Sequence, residues 1–212
     1  EIKAGNLLST IYKKHANFKF LLGLAQNKEY LEKNPYDKFE IKKITKAQNS
    51  DILTEEELKI LQTAYDSNKY TEGKKEVLRD FLFSCYTSLS YAEFYNVTYD
   101  DLKPVTLKKD KIEATYCLLT NERQKTGVMY KIPIVSNTVE QLLERMITIK
   151  TKNGNQTKEK ESFQKIFSPL TNQPTNRYLK EIMKDLNINK TMTFHRARHT
   201  NSAFYLKTSK LK

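Results

Sequence analysis

The stretch PVTLKKDKIEATYCLLTNERQKTGVMYKIPI, residues 104–134, decides the fold class of this 212-residue chain. Its apolar segments are rich in β-branched and aromatic residues, and the polar segments KKDK and RQKTG between them are typical of turns. We therefore predict a small antiparallel sheet. Outside this stretch the apolar residues recur at the three- and four-residue spacing of helices. The predicted fold class is thus mainly α with a small antiparallel β-sheet (α+β).

Helices are predicted on both sides of the sheet. Thr54 followed by Glu57 is a capping-box pattern ahead of an apolar stripe. The other helical patterns cover residues 7–25 with a short second helix up to 33, then 75–86, 91–95, 138–148, 175–186 and 193–206. The polar segment 151–162 is predicted to be a surface loop. There is no βαβ alternation and no glycine-rich phosphate loop, so a nucleotide-binding fold is not expected.

A polar and basic segment, EIKKITKAQNSD at residues 40–51, separates two parts of the chain. It has little hydrophobic periodicity, which is typical of a linker. We place the domain boundary within it, with one module at residues 1–46 and the other at residues 47–212.

The charge balance of the chain favours a polyanionic partner. Its 37 basic and 25 acidic residues give a net charge of +12, which favours nucleic acid first and an anionic membrane surface second. No window approaches the roughly 18 consecutive apolar residues of a membrane helix. Cys85 and Cys117 lie in apolar segments. We therefore predict two buried thiols, which fit a reducing cytoplasm, and neither a disulfide nor a metal site.

A second stretch, TFHRARHT at residues 193–200, contains two of the three histidines of the chain. On a helix, His195, Arg198 and His199 lie at positions i, i+3 and i+4 and share one face. One interpretation is a solvated basic face that contacts DNA phosphates. Another is a metal site, which is disfavoured because Arg198 would repel a cation and Arg196 stands where the zinc-protease pattern has glutamate.

A third interpretation of this stretch is chemistry on a phosphate. The planar fork of Arg198 can hold the non-bridging oxygens of a phosphate. His195 can donate a hydrogen bond or a proton, and His199 can support the site. Such a set stabilises a phosphorane-like transition state without a metal, so no cofactor is expected.

Four segments resemble motif blocks of the tyrosine recombinases, the phage-integrase family, and occur in the order of that family. In chain order they are FLFSCYTSLSYAEFYNVTYDDL at residues 81–102, NERQKTGVMYKIPI at residues 121–134, FSPLTNQPTNRYLKEIMKDLNINKTMT at residues 167–193 and H-x-x-R-H-T at residues 195–200. The segment at residues 167–193 is similar to the corresponding segment in integrases of conjugative or mobilizable elements. Residues 5–40 resemble the last helices of the family's core-binding domain. The resemblance implies that residues 1–46 are the C-terminal part of a DNA-clamping domain and that residues 47–212 form the catalytic domain.

The resemblance also assigns roles to single residues. His195 and Arg198 match the histidine and arginine of the second block, and His199 matches the residue that follows and supports the site. Lys125 matches the lysine of the family's β-hairpin, implied to be the general acid that protonates the leaving 5′ oxygen. The DNA-binding residues are expected to be Lys13, Lys14 and Arg196.

The first block departs from the family pattern T-G-L-R-x-x-E. The segment TSLSYAE at residues 87–93 places Ser90 at the arginine position, and a serine hydroxyl carries no charge. Either another arginine enters the pocket or the activity is weak. Arg123 is the better candidate, because an extended backbone would point the side chains of Arg123 and Lys125 to one face. Arg79, earlier in the helical pattern, is a poorer candidate.

The resemblance implies that the protein cuts and rejoins DNA in site-specific recombination or integration, through a 3′-phosphotyrosyl intermediate. It also implies that the protein belongs to a mobile genetic element. The family's nucleophilic tyrosine lies well downstream of the second block, so we expect the sequence to be C-terminally incomplete after Lys212. The implied partners are double-stranded DNA and further copies of the chain, as a tetramer on synapsed DNA in the bacterial cytoplasm, with no membrane and no nucleotide. Two alternatives stay open: a type IB topoisomerase-like enzyme, and a DNA-binding regulator without chemistry.

Overall fold

The computed structural model describes residues 8–39, 52–109, 112–144, 146–151, 154–159, 161, 163–168 and 170–209. The chain divides into two compact units, residues 1–49 and residues 50–212. The predicted linker at 40–51 lies outside the described residues.

The first unit contains helix α1 (Leu8–Asn27), close to the predicted 7–25, and a 3-10 turn at Pro35–Lys38. The second helix predicted up to residue 33 is wrong. Residues 28–33 form turns and bends, and Glu29 has a left-handed φ of 64°. A right-handed helix does not continue through such a residue.

His15 is half-buried within the first unit. Its Nδ1 lies 2.6 Å from the hydroxyl oxygen of Tyr36, and its ring stacks on Phe39 with the centroids 5.8 Å apart. The side chain of Asn34 accepts a hydrogen bond from the Tyr36 backbone N–H at 2.9 Å. This cap fixes the turn that carries the two aromatic rings.

The second unit is mainly helical, as predicted. Its helices are α2 (Glu55–Asp66), α3 (Glu72–Thr87), α4 (Tyr91–Phe94), α5 (Asn137–Gln141), α6 (Asn172–Asp185) and α7 (Phe194–Ser209). The capping box predicted for α2 is present. The Thr54 N–H donates to Glu57 Oε2 at 2.7 Å, and the Glu57 N–H donates to Thr54 Oγ1 at 3.2 Å.

The predicted sheet is a three-stranded antiparallel sheet with the strand order β1-β2-β3. Its strands are β1 (Leu102–Lys109), β2 (Ile112–Glu122) and β3 (Met129–Ile134). In the register of the central strand, Leu119 pairs with Leu102 on one side and with Ile132 on the other. The fold class predicted from the sequence is therefore confirmed.

A second hairpin, β4 (Met146–Thr151) with β5 (Gly154–Glu159), corrects two predictions. The helix predicted at 138–148 is limited to α5, and the loop predicted at 151–162 contains β5. Glu144 has a positive φ of 45°, which ends the helical conformation. The β-branched residues of ITIKT that follow favour a strand, and the polar segment after them gives that strand its antiparallel partner.

The core of the second unit surrounds α3. Phe83 of α3 lies 4.8 Å from Phe167 between ring centroids, and Phe94 of α4 lies 3.9 Å from Phe167. Cys85 and Cys117 are both buried, as predicted. Within the described part of the chain, no helix has the length and apolarity to span a bilayer.

Helix α7 is tied to α3 by a specific polar contact. The side-chain amide of Asn201 donates hydrogen bonds to the backbone carbonyls of Cys85 at 2.9 Å and Tyr86 at 3.0 Å. These carbonyls belong to the last turn of α3, which has no helical partner for them. The contact fixes the position of α7 and therefore of the face that α7 presents to solvent.

Candidate active site

Helix α7 has one buried stripe and one accessible stripe. Phe194, Ala197 and Thr200 are buried. His195 and His199 are exposed, and Arg198 is half-buried. The spacing that predicted a shared face for the two histidines and the arginine thus agrees with the burial pattern, because residues three and four apart lie on the same side of a helix.

The N-terminus of α7 is held by the neighbouring helix α6. Phe194 N–H donates to Asn176 Oδ1 at 2.8 Å, which satisfies one of the unpaired donors at the start of a helix. The buried Thr200 hydroxyl accepts a hydrogen bond from the Leu53 N–H at 3.2 Å. These contacts fix the helix on both sides of the His195–Arg198 pair.

The two histidines of α7 contact each other. Their ring centroids lie 4.9 Å apart, with the rings nearly perpendicular. Burial lowers the pKa of His199, and the neighbouring His195, Arg196 and Arg198 lower it further. The lowered pKa favours the neutral imidazole of His199, which can accept as well as donate a hydrogen bond.

Ser90, at the position of the family's first arginine, is the N-cap of α4. Its backbone N–H donates to Glu93 Oε2 at 2.8 Å, and the Glu93 N–H donates to Ser90 Oγ at 3.4 Å. This is a capping box. The Ser90 hydroxyl is thus engaged in local backbone structure.

Glu93 brings two arginines together on one carboxylate. Arg123 Nη1 lies 2.7 Å from Glu93 Oε1, and Arg198 Nη1 lies 3.8 Å from Glu93 Oε2. The Glu93 side chain is only 6% exposed, whereas those of Arg123 and Arg198 are 34% and 36% exposed. The carboxylate is therefore at the base of the cluster, and the two guanidiniums are accessible from solvent.

The environment of Glu93 keeps its carboxylate ionised. Burial by itself would raise the pKa of Glu93, but hydrogen bonds from Ser90 and the charges of Arg123 and Arg198 outweigh burial and hold the pKa below its usual range. An ionised carboxylate between two guanidiniums reduces their mutual repulsion, so both can occupy the same small region.

Arg123 and Lys125 lie at the end of the β2–β3 hairpin. Arg123 N–H donates to the Val128 carbonyl at 2.9 Å, and Gly127 N–H donates to the Arg123 carbonyl at 2.8 Å. Gly127 has a φ of 65°, which glycine adopts without strain. Residues 124–126 form a turn, so the extended backbone expected between Arg123 and Lys125 is wrong. Lys125 is exposed at the tip of this turn.

The ring of Tyr130 on β3 supports Arg123. The Arg123 guanidinium carbon lies 5.7 Å from the ring centroid, within the range of a cation–π contact. The Tyr130 hydroxyl is buried and has no hydrogen-bond partner among the described residues. Burial, together with the nearby carboxylates of Glu93 and Asp101, raises the pKa of Tyr130 to about 12.

Arg79, the second candidate for the missing arginine, is held in a different network. It is buried, and its Nη1 donates to Glu144 Oε2 at 2.6 Å and its Nε to Asp80 Oδ1 at 3.3 Å. Its guanidinium carbon also lies 5.1 Å from the centroid of the Phe167 ring. These contacts give Arg79 a structural position between α3 and the segment after α5.

The predicted DNA-binding residues lie on two different units. Lys13 and Lys14 are exposed on α1 of the first unit, and Arg196 is half-buried on α7 of the second. In the described residues there is no cluster of three His, Cys, Asp or Glu side chains with the geometry of a metal site.

Comparison with known proteins identifies the fold. No protein-family model matches the sequence, and no curated protein matches it. Among solved structures, the Tn1549 transposon integrase in complex with a circular intermediate DNA is 17% identical, with 97% of this chain and 69% of that chain covered and a TM-score of 0.63. The same integrase in complex with transposon right end DNA gives the same identity, coverage and score. The XerH site-specific recombinase bound to its difH substrate is 15% identical over 89% of this chain and 52% of that chain, with a TM-score of 0.53.

The chain has the tyrosine-recombinase fold. Two residues of the site within this fold were not predicted as functional from the sequence, namely Glu93 and Tyr130. The S-x-x-E pattern of Ser90 and Glu93 is a sequence signal for a cap, but a cap pattern does not reveal that the carboxylate also binds two arginines. Tyr130 has no local signal, because its contact to Arg123 depends on the return of the hairpin.

Proposed function

We propose that the protein is a site-specific tyrosine recombinase that breaks and rejoins DNA strands. The observation that carries this proposal is the accessible stripe of α7, where His195, Arg198 and His199 lie together and Arg198 forms an ion pair with Glu93. The support is that this stripe belongs to a fold shared with an integrase and a recombinase whose structures contain DNA. The net charge of +12 fits a DNA partner.

In the proposed reaction, a tyrosine hydroxyl attacks the scissile phosphorus. A bond forms between the tyrosine oxygen and phosphorus, and the bond from phosphorus to the 5′ oxygen breaks. Lys125 supplies the proton that the leaving 5′ oxygen takes up, and the imidazole of His195 accepts the tyrosine proton. Attack by the 5′ hydroxyl of the partner strand reverses these steps and releases the tyrosine.

In this reaction Arg198 acts on the non-bridging oxygens. The negative charge on these oxygens increases as phosphorus becomes five-coordinate, and a guanidinium fork can donate two parallel hydrogen bonds to them. His199, whose ring contacts that of His195, supports the neighbouring imidazole. The first unit, with Lys13 and Lys14, contacts the phosphate backbone, and four copies of the chain assemble on two paired duplexes.

The test uses the full-length protein and a pool of nicked duplexes with a randomised central sequence. Cleavage next to the nick releases a short fragment, so the covalent protein–DNA adduct accumulates and survives denaturation. We expect an adduct with wild type and its loss with Arg198→Ala. The control Arg177→Ala removes the same charge from an exposed position of α6 and should retain the adduct. DNA binding without any adduct would overturn the proposal of an enzyme and favour a DNA-binding regulator without chemistry. Relaxation of supercoiled plasmid without sequence selection would favour the topoisomerase.

A further inference from the structure

We infer that Arg123 supplies the second phosphate-binding guanidinium of this site. It would replace the arginine that the first block of the family has at the position of Ser90. This inference rests on the proposed function. The positive charge would then come from the end of β2 instead of the turn between α3 and α4. Arg123 would be a catalytic residue, and Glu93 and Tyr130 would be the positioning residues that hold it.

The geometry supports this exchange of positions. Arg123 and Arg198 bind the two different oxygens of the Glu93 carboxylate, at 2.7 and 3.8 Å. A carboxylate and a phosphate both present two oxygens to a planar donor, so a pair of guanidiniums arranged around a carboxylate is also suited to an adjacent phosphate. Each guanidinium has five N–H donors. Arg123 donates to Glu93 through Nη1, and Arg198 forms an ion pair with Glu93 at 3.8 Å, so both keep donors for a phosphate.

The charge of the Glu93–Arg123–Arg198 cluster and the exposure of Arg123 also support a phosphate-binding role for Arg123. One buried carboxylate and two guanidiniums give a cluster of net charge +1, which still attracts a phosphate. Arg123 is one-third exposed, so a substrate can reach it. Ser90 cannot fill this role, because its hydroxyl accepts the hydrogen bond that caps α4 and carries no charge.

The position of Arg123 is fixed from three sides. Its backbone is closed into the hairpin by the bonds to Val128 and Gly127. Its guanidinium is bound by Glu93 and lies near the ring of Tyr130. A side chain with fewer accessible rotamers loses less entropy when it binds substrate. Preorganised donors are what transition-state stabilisation requires.

The test compares adduct formation by wild type, Arg123→Ala, Arg198→Ala and the charge control Arg177→Ala on a duplex selected from the randomised pool. We expect Arg123→Ala to slow cleavage by about 100-fold or more, as for loss of one preorganised oxyanion donor, with DNA affinity near wild type. Its Tm should be lower than that of wild type, because the buried Glu93 carboxylate loses its hydrogen bond. The same variants are then tested on this duplex with a methylphosphonate at the scissile position. This group lacks one charged oxygen and therefore needs one guanidinium fewer.

Recovery of Arg123→Ala on the methylphosphonate relative to wild type supports a direct contact between Arg123 and the phosphate. Cleavage by Arg123→Ala within a few-fold of wild type, while Arg198→Ala is inactive, would overturn the inference and leave the proposed function intact. A loss in Arg123→Ala that the methylphosphonate does not reduce would assign Arg123 a structural role and overturn it as well. The absence of an adduct with wild type would overturn the proposed function, and this inference with it.

Discussion

Arg123 Nη1 lies 2.7 Å from Glu93 Oε1, although the two residues are 30 positions apart in the chain. The carboxylate belongs to the short helix α4, and the arginine follows the last residue of β2. Because Glu93 also lies 3.8 Å from Arg198, one buried side chain connects the helix after α3, the hairpin and α7.

Replacing Glu93 by glutamine should remove the charge and keep the cap, because glutamine serves at the same capping-box position. We expect a loss of about 1.5–3 kcal/mol in the free energy of unfolding at neutral pH, the range for a hydrogen bond to a charged group. Adduct formation should also slow, because both guanidiniums lose their common anchor. Thermal unfolding and the cleavage assay measure the two effects.

The pH dependence of this variant provides an internal control. The pKa of Glu93 is lower in the folded state than in the unfolded state, so its stabilisation is fully present above the unfolded value of about 4.3. It is lost as the pH falls through the folded pKa. The difference in Tm between wild type and Glu93→Gln should therefore shrink in acid. A difference that stays constant with pH would contradict a charge effect.

Replacing Tyr130 by phenylalanine should leave the cation–π contact and remove a buried hydroxyl that has no partner among the described residues. Because an unsatisfied buried hydroxyl costs about 1–3 kcal/mol, the Tm of Tyr130→Phe should be equal to or above that of wild type. Most of the cleavage activity should be retained.

Tyr130→Leu is the matched variant, since it removes the ring that supports Arg123. We expect slower cleavage that partly recovers on the methylphosphonate duplex. Its effect should not add to that of Arg123→Ala, because coupled residues give non-additive losses. Full additivity in the double variant would show that Tyr130 does not act through Arg123.

Lys125→Ala should abolish cleavage of an ordinary phosphodiester, because the leaving 5′ oxygen would lack its proton donor. A duplex in which sulfur replaces that 5′ oxygen should restore cleavage, because a thiolate leaves without protonation. The adduct assay with both duplexes measures this. Lys59→Ala, at an exposed position of α2, is the control for loss of one lysine. Failure of the sulfur substrate to restore activity would remove Lys125 from the role of general acid.

Replacing Lys13 and Lys14 by glutamine should weaken DNA binding equally on all sequences. Each phosphate contact contributes about 0.9 to the slope of log K against log salt concentration, so the double variant should reduce this slope by about 2. Fluorescence anisotropy at several salt concentrations measures it. Lys180→Gln with Lys184→Gln removes the same charge from exposed positions of α6. An equal change of slope in this control would indicate a general charge effect.

The sequence predicted the elements whose signals are local. The capping box of Thr54 and Glu57, the long helices and the three-stranded sheet depend on residues within one or two turns of each other. The hairpin β4–β5 was missed because its second strand, GNQTKE, is polar and lacks the alternation of a half-buried strand. Pairing with β4 stabilises it, and pairing is not a local signal.

The candidate site also contains features that follow from local sequence and features that depend on tertiary packing. The sequence by itself determined that His195, Arg198 and His199 share one face, since the helical repeat fixes this as soon as the segment is helical. The sequence favoured Arg123 over Arg79, but on the expectation of an extended backbone between Arg123 and Lys125, which is wrong. Only the tertiary structure decided where the two arginines lie, because the packing buries Arg79 against Glu144 and brings Arg123 to Glu93. The physical reason is that a charge pairs with the opposite charge nearest in space, and chain folding sets that distance.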